Sequence, residues 1–431
     1  MRGAGFSEGA KSSQEKDHKK RFSQDQALPR MVWIIGIVMF CANMASVIVY
    51  SFGGVYLKEV MGVKTFYVGV IEGVAECTSN LMKLLAGVLS DIFQRRKILM
   101  VFGYGIVVCA RYILALFSMY CGPVIFARVA ERIGNGMQAA PRSALVGDIS
   151  PPKRIGASYG LKRSLATLGS FSGAVVALFI MSKTQNNYKI LFKFTTLPIT
   201  FGFIFLIFKV KDPLQMRQSA VLAGVPSYAP KYRPTFHSQN FKLLGSTFWK
   251  LMSVNFVFLM ARMGETFLML YGREFHIEPK FLPTIMMVFN LSWAASSYPV
   301  GLIADKMNRY WLLCFGMVSL GLADFVFSTA HTLPAFFVGV MLWGIQYGTT
   351  QNIFLSLINE VVPEILRGTG LGIYWVISAI TVLLCDSTMG RIASNCGDSI
   401  RPVFVTSGIV SLFGLASLFV IMGYKIRPRE Q

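Results

Sequence analysis

Apolar residues run along this chain in long blocks, and polar residues gather mainly between them. Blocks of about 20 residues, the length that crosses a bilayer as a helix, begin near Met31, Lys64, Ile98, Gly122, Gly156, Tyr188, Phe248, Phe281, Tyr310, Pro334, Gly368 and Arg401. The pattern predicts an all-α membrane protein of twelve transmembrane helices, with no room for a separate soluble domain. In the second block Glu72, Glu76, Asn80, Lys83 and Gly87 recur at steps of three or four, so they share one stripe of a helix.

Composition agrees with a membrane setting. The 431 residues are 54% hydrophobic and 15% charged, outside the usual range of soluble domains. A net charge of +21 raises the question of a nucleic-acid partner. The basic residues, however, alternate by loop: Arg95, Arg96 and Lys97 follow segment 2, Lys153 and Arg154 follow segment 4, and many surround the connection of segments 6 and 7. By the positive-inside rule these loops and both termini are cytoplasmic. The charge is therefore topological, the partner is the lipid bilayer, and no nucleic acid is expected.

Residues 1–30 are polar and read as a disordered cytoplasmic tail, because the block from Met31 to Tyr56 is too long for the apolar core of a signal peptide. The proline-containing stretch 210–247 reads as a cytoplasmic linker between two six-helix bundles, 31–209 and 248–424, with 425–431 as a second tail. Seven cysteines form no CxxC pair and no metal spacing, and are expected as free thiols. No HExxH, GxSxG, P-loop or dinucleotide fingerprint occurs, so neither an enzyme, a metal nor a cofactor is expected.

The sequence also repeats itself. GVLSDIFQRRK, from Gly87 to Lys97, returns 214 positions later as GLIADKMNR, from Gly301 to Arg309. Asp148, Pro151, Gly156 and Gly160 have counterparts in Glu360, Pro363, Gly368 and Gly372 at an offset of 212. The first repeat resembles the signature loop between helices 2 and 3 of the major facilitator superfamily. Gly87, Asp91, Arg95 and Arg96 match that motif, echoed by Asp305 and Arg309. The resemblance implies two six-helix bundles related by pseudo-two-fold symmetry, with these residues as gates rather than ligands.

ERIGNGMQAAPRSALVGD followed by RIGASYGLKRSLATLGSFSGA resembles a bacterial subfamily that reads roughly DRIGKGxRTAPRDAL and RGRAFGxxRxxDTxGAxxGP. That implies a bacterial inner membrane. Where such relatives carry acids this chain has Asn43, Val47, Ser143 and Ala166, so proton coupling through those positions is not implied. Gly169 and Gly173 match the spacing of the antiporter GxxxGP pattern, but Ala174 replaces its proline, and helix packing is the plainer expectation.

Charges deep in a bilayer cost several kcal/mol, so those retained are candidates for function. Glu72 and Glu76 lie on helix 2, Arg132 and Arg142 on helix 4, Arg111 on helix 3, and Arg262 and Glu265 on helix 7. Gln346, Gln351 and Asn352 lie on helix 10 and Asp386 toward the outer end of helix 11. Asn43, Arg132, Arg262 and Gln346 come from the four cavity-forming helices of the family and make a cationic to neutral set, which suits a carboxylate or phosphate. Pairing of Arg132 with Glu131 or Glu76, and of Arg262 with Glu265, would leave no anion site, and both outcomes stay open. Aromatic residues Phe40, Phe258, Phe267, Trp343 and Tyr347 read mainly as packing. The expectation is a monomeric secondary transporter for a small organic solute, an organic anion being favoured by the two guanidiniums, with a coupling proton or other ion left open. Efflux of a drug-like or siderophore-like compound, and a non-transporting receptor or scaffold of the same fold, are the alternatives.

Overall fold

A computed structural model describes residues 30–93, 95–150, 155–210, 244–304, 307–363 and 366–422. The expected tails, most of the expected linker and Asp305 lie outside the described residues, as do the side chains of Asp91 and Asn352. Every described regular element is helical. The chain forms α1 (Arg30–Val55), α2 (Thr65–Phe93), α3 (Arg96–Phe117), α4 (Cys121–Ile149), α5 (Ile155–Lys183) and α6 (Tyr188–Lys209). It continues with α7a (Gly245–Ala261), α7b (Glu265–Glu274), α8 (Leu282–Ala304), α9 (Arg309–Thr329), α10 (Leu333–Val361), α11 (Arg367–Asn395) and α12 (Arg401–Met422).

These account for the twelve expected segments, with one difference: segment 7 is broken. Eight spans are long and apolar enough to cross a membrane by length and composition alone, α7a and α7b together counting as one. α2 and α4 are not among the eight, and they carry Glu72, Glu76, Lys83, Arg128, Glu131 and Arg132. Their charged stripes can enter an apolar bundle only because they face one another, as the ion pairs below show.

α1 packs on α5 and α6, α2 on α4, and α3 on α4 and α6. In the second half α9 packs on α10 and α12, α8 on α10, and α7a on α11 and α12. Between the halves, α2 meets α11, α5 meets α8, and α1 meets α7b and α8. Gly169 and Gly173 serve the packing of α5 on α1. A Cβ at either would stand 2.3 Å from a carbonyl oxygen, of Phe40 and Met44 respectively, so any side chain would force the helices apart.

The end of the bundle opposite the start of α1 is bolted across the halves. Arg273 Nε donates to Glu59 Oε1 at 2.6 Å, Lys58 Nζ to the Asp398 carbonyl at 3.1 Å, and the Phe66 amide to Ser394 Oγ at 3.0 Å. α7b is anchored there by Tyr271, whose hydroxyl donates to the Phe327 carbonyl at 2.6 Å while its ring lies 4.8 Å from that of Phe404. Such aromatic contacts stabilise beyond their burial by about 0.5–1.5 kcal/mol. All seven cysteines are free thiols.

A central cavity at a helix break

The stripe on α2 meets α4 in a network of opposite charges. Arg128 Nε and Nη2 donate to the two carboxylate oxygens of Glu72 at 2.9 Å each, a bidentate fork. Arg132 Nη1 lies 2.9 Å from Glu76 Oε2, and its Nη2 lies 3.8 Å from Glu72 Oε2. Both guanidiniums sit over the ring of Tyr50, at 4.8 and 4.2 Å. Lys83 completes the row: it donates to Asn80 Oδ1 at 2.8 Å, approaches Glu76 Oε1 at 3.8 Å, and stands 4.8 Å over Trp375 of α11. Arg132 is thus neutralised by glutamates of the neighbouring helix, as the pairing alternative with Glu76 foresaw. Glu131 takes a different partner, Arg111 of α3, at 2.5 Å, with both side chains almost fully buried.

Helix 7 breaks at Arg262, Met263 and Gly264, where Arg262 has φ −98° and ψ 82° and Gly264 has an extended φ −67° and ψ 151°. A break at membrane depth strands carbonyls on one side and amides on the other, which hydrocarbon cannot solvate. Here other helices supply partners. Ser407 Oγ contacts the Ala261 carbonyl at 2.5 Å, Cys385 Sγ donates to the Met260 carbonyl at 3.2 Å, and Asp386 Oδ1 accepts from the Gly264 amide at 2.7 Å. The Asp386 carboxylate therefore stands at the positive N-terminus of α7b, where a negative charge is favoured. The break separates Arg262, just past the end of α7a, from Glu265 at the start of α7b, and no ion pair joins the two among the described residues.

Between these two features lies a cavity of about 220 Å³, lined from α1, α2 and α4 on one side and from both parts of helix 7, α8, α10 and α11 on the other. Glu72, Glu76, Arg132, Arg262, Glu265, Gln351 and Asp386 of the expected set line it. The expected set from four helices looked cationic to neutral; the wall itself carries four carboxylates beside Lys83, Arg132 and Arg262. Arg262 alone of these bases has no carboxylate within ion-pair distance among the described residues, and it stacks instead at 4.4 Å over the ring of Tyr347. Glu265 likewise has no described ion pair.

Other expected residues fall elsewhere. Asn43 donates to the Met39 carbonyl of its own helix at 2.8 Å, and Gln346 is fully buried against Thr350 Oγ1 at 3.0 Å; neither lines the cavity. Arg111 belongs to the ion pair with Glu131 outside it. Arg142 donates to Gln138 Oε1 at 3.2 Å, about 15 Å along α4 from Arg132. Gly87 faces Ala140, Arg95 is exposed ahead of α3 beside Arg96, and Arg309 donates to Glu360 Oε2 at 3.1 Å, joining the two duplicated patterns. Phe258, Phe267 and Trp343 are packing residues, whereas Tyr347 lines the cavity.

Sequence reading missed Tyr50, Trp293, Tyr374 and Trp375 as cavity walls. It also missed Asp324 of α9, which is 1% exposed. Ser407 Oγ lies 2.6 Å from Asp324 Oδ2 as well as 2.5 Å from the Ala261 carbonyl. Ser407 has one proton to share between these two oxygens, and a protonated carboxyl or an amide at position 324 would supply a second. An amide supplies the same second proton, so Asp324→Asn should keep the melting temperature of the detergent-solubilised protein. Asp324→Ala should cost about 1–3 kcal/mol, the range for stranding a buried polar partner. Equal loss in both variants would rule out a donor at position 324.

A family model described as Major Facilitator Superfamily matches residues 32–385. An uncharacterized MFS-type transporter of Methanocaldococcus jannaschii is 25% identical over 412 residues, covering 94% of this chain and 98% of that protein. Among solved structures, a POT family transporter in complex with 5-aminolevulinic acid superposes with a TM-score of 0.74 at 11% identity, covering 93% of this chain and 97% of that one. The human organic anion transporter MFSD10 does so with a TM-score of 0.62 at 16% identity, over 90% and 99%. With its helices, its duplicated loops and a family match over most of its length, the chain belongs to the major facilitator superfamily and is a multi-pass membrane protein of that transporter family.

Proposed function

We propose that the protein is a secondary transporter that moves a small organic anion by alternating access. Residues 31–209 and 248–424 are then two six-helix units that rock about the central cavity, joined by the cytoplasmic stretch 210–247. The single observation that carries the anion is Arg262: a guanidinium at a helix break, on the cavity wall, with aromatic contact and no carboxylate within ion-pair distance among the described residues. Every other base on that wall is already satisfied by Glu72 or Glu76. A cation with no carboxylate at ion-pair distance, facing a cavity, favours an anionic ligand. Tyr347, Tyr374, Trp293 and Trp375 suit an organic body on that anion. The positive-inside rule places both termini in the cytoplasm, so the bolted end of Arg273, Glu59, Lys58 and Asp398 is the outer one and the described state is closed to the outside.

The test is uptake into proteoliposomes across a panel of organic carboxylates and phosphates, with neutral sugars and primary amines as comparison, with and without an imposed proton gradient. Saturable uptake of an organic anion is the expected result. Uptake confined to neutral or cationic solutes would overturn the reading.

A further inference from the structure

Three bases below the cavity lack a counterion among the described residues. Arg142 of α4 and Lys162 and Arg163 of α5 lie at similar depth toward the end where α1 begins. Their described contacts are all with neutral groups. Arg142 bonds Gln138, Lys162 donates to Ser143 Oγ at 3.3 Å, and Arg163 lies 4.1 Å over the ring of Trp293. None has a carboxylate within ion-pair distance among the described residues, and the buried Arg142 Nε has no hydrogen-bond partner. Nearer the cavity Arg128, Arg132 and Lys83 are each met by a glutamate, which sets the lower group and Arg262 apart from them. Like charges held close together repel, and because Arg163 is exposed and Arg142 and Lys162 are half-buried, an ion from solution can reach them. An anion from solution supplies what the described residues do not.

The lower group is tied to the cavity by a ladder of rings. Arg163 stacks on Trp293, the Trp293 and Tyr347 ring centroids are 5.5 Å apart, and Tyr347 carries Arg262 at 4.4 Å. Trp293 and Tyr347 both line the cavity. Uncompensated cations thus stand at the two ends of an aromatic wall. We propose that the substrate is an organic dianion with an acidic group at each end and an apolar middle. One end pairs with Arg262, the other with Arg142, Lys162 and Arg163, and the middle lies along Trp293 and Tyr347. The inference rests on the organic-anion reading above and narrows its substrate class.

The experiment uses the full-length protein in phosphatidylcholine liposomes, where no anionic headgroup competes for the lower bases. Uptake is compared for α,ω-dicarboxylates of four to ten carbons and for the monocarboxylates of matching length. At the best length the dicarboxylate should be taken up about ten-fold or more better, the lower bound for one added hydrogen bond to a charged group. In Lys162→Gln/Arg163→Gln the ratio of dicarboxylate to monocarboxylate uptake should fall toward one, and in Lys162→Arg/Arg163→Lys it should largely return. Gel-filtration profiles of each variant establish that it is folded. A ratio near one in the wild-type protein, or a ratio that survives the double glutamine variant, overturns the dianion while leaving the organic-anion reading intact. Uptake of neither series overturns both.

Discussion

Glu131→Leu should yield little folded protein, and Arg111→Leu in the same chain should restore it. The pair is 2.5 Å apart with both side chains nearly sealed, and Arg111 Nε and Nη1 already lack partners. Removing the carboxylate leaves an uncompensated guanidinium in the bundle, which costs about 3–5 kcal/mol, whereas replacing both partners by apolar side chains is near neutral. A bundle of marginal stability does not absorb the first change. The measurement is the melting temperature and the monodisperse yield in detergent. The partner assignment is tested by a second double variant: Arg132→Leu should fail to rescue Glu131→Leu, because Arg132 is held by Glu76 and Glu72. Rescue by Arg132→Leu instead would reverse the assignment.

Arg262→Ala should behave in the opposite way, folding normally and losing substrate. No ion pair is broken by its removal among the described residues; only its stacking on Tyr347 is lost. Hydrogen bonds to a charged group are worth about 1.5–3 kcal/mol, so affinity for an organic anion should fall about 10- to 150-fold. Arg262→Lys should recover part of this, since an ammonium keeps the charge but not the planar fork. Arg132→Ala is the contrast, because it leaves Glu76 with Lys83 alone at 3.8 Å and should lower the melting temperature first. The assignment of Arg262 to the substrate would be falsified if well-folded Arg262→Ala bound the anion as tightly as the wild-type protein.

Local chemistry along the chain was enough for the helices and their number. Bilayer thickness sets the length of an apolar block, and the cost of unsatisfied backbone in hydrocarbon leaves helix as the outcome. The same holds for the α2 stripe. Glu72, Glu76, Asn80 and Lys83 had to share a face by their spacing, and they do share the cavity wall. Family membership was legible for a related reason, because the two short repeated loops are local words that survive duplication.

Partnership was not legible, because it depends on which helix lies opposite. Arg128 finds its partner only once α4 is set against α2, where its fork meets Glu72. Glu131 sits one position before Arg132 yet points about 100° away around the helix, toward α3 and Arg111. The break of helix 7 was hidden as well. An apolar run with one glycine reads as continuous, and only the supply of Ser407, Cys385 and Asp386 from α11 and α12 makes an interruption at that depth tolerable. Asp324 escaped notice because its single acidic side chain in an apolar segment has meaning only beside Ser407 and the Ala261 carbonyl. Spacing along one helix determines which side chains share a face, while the counterion each charge finds is decided by residues far away in the chain, brought near by packing.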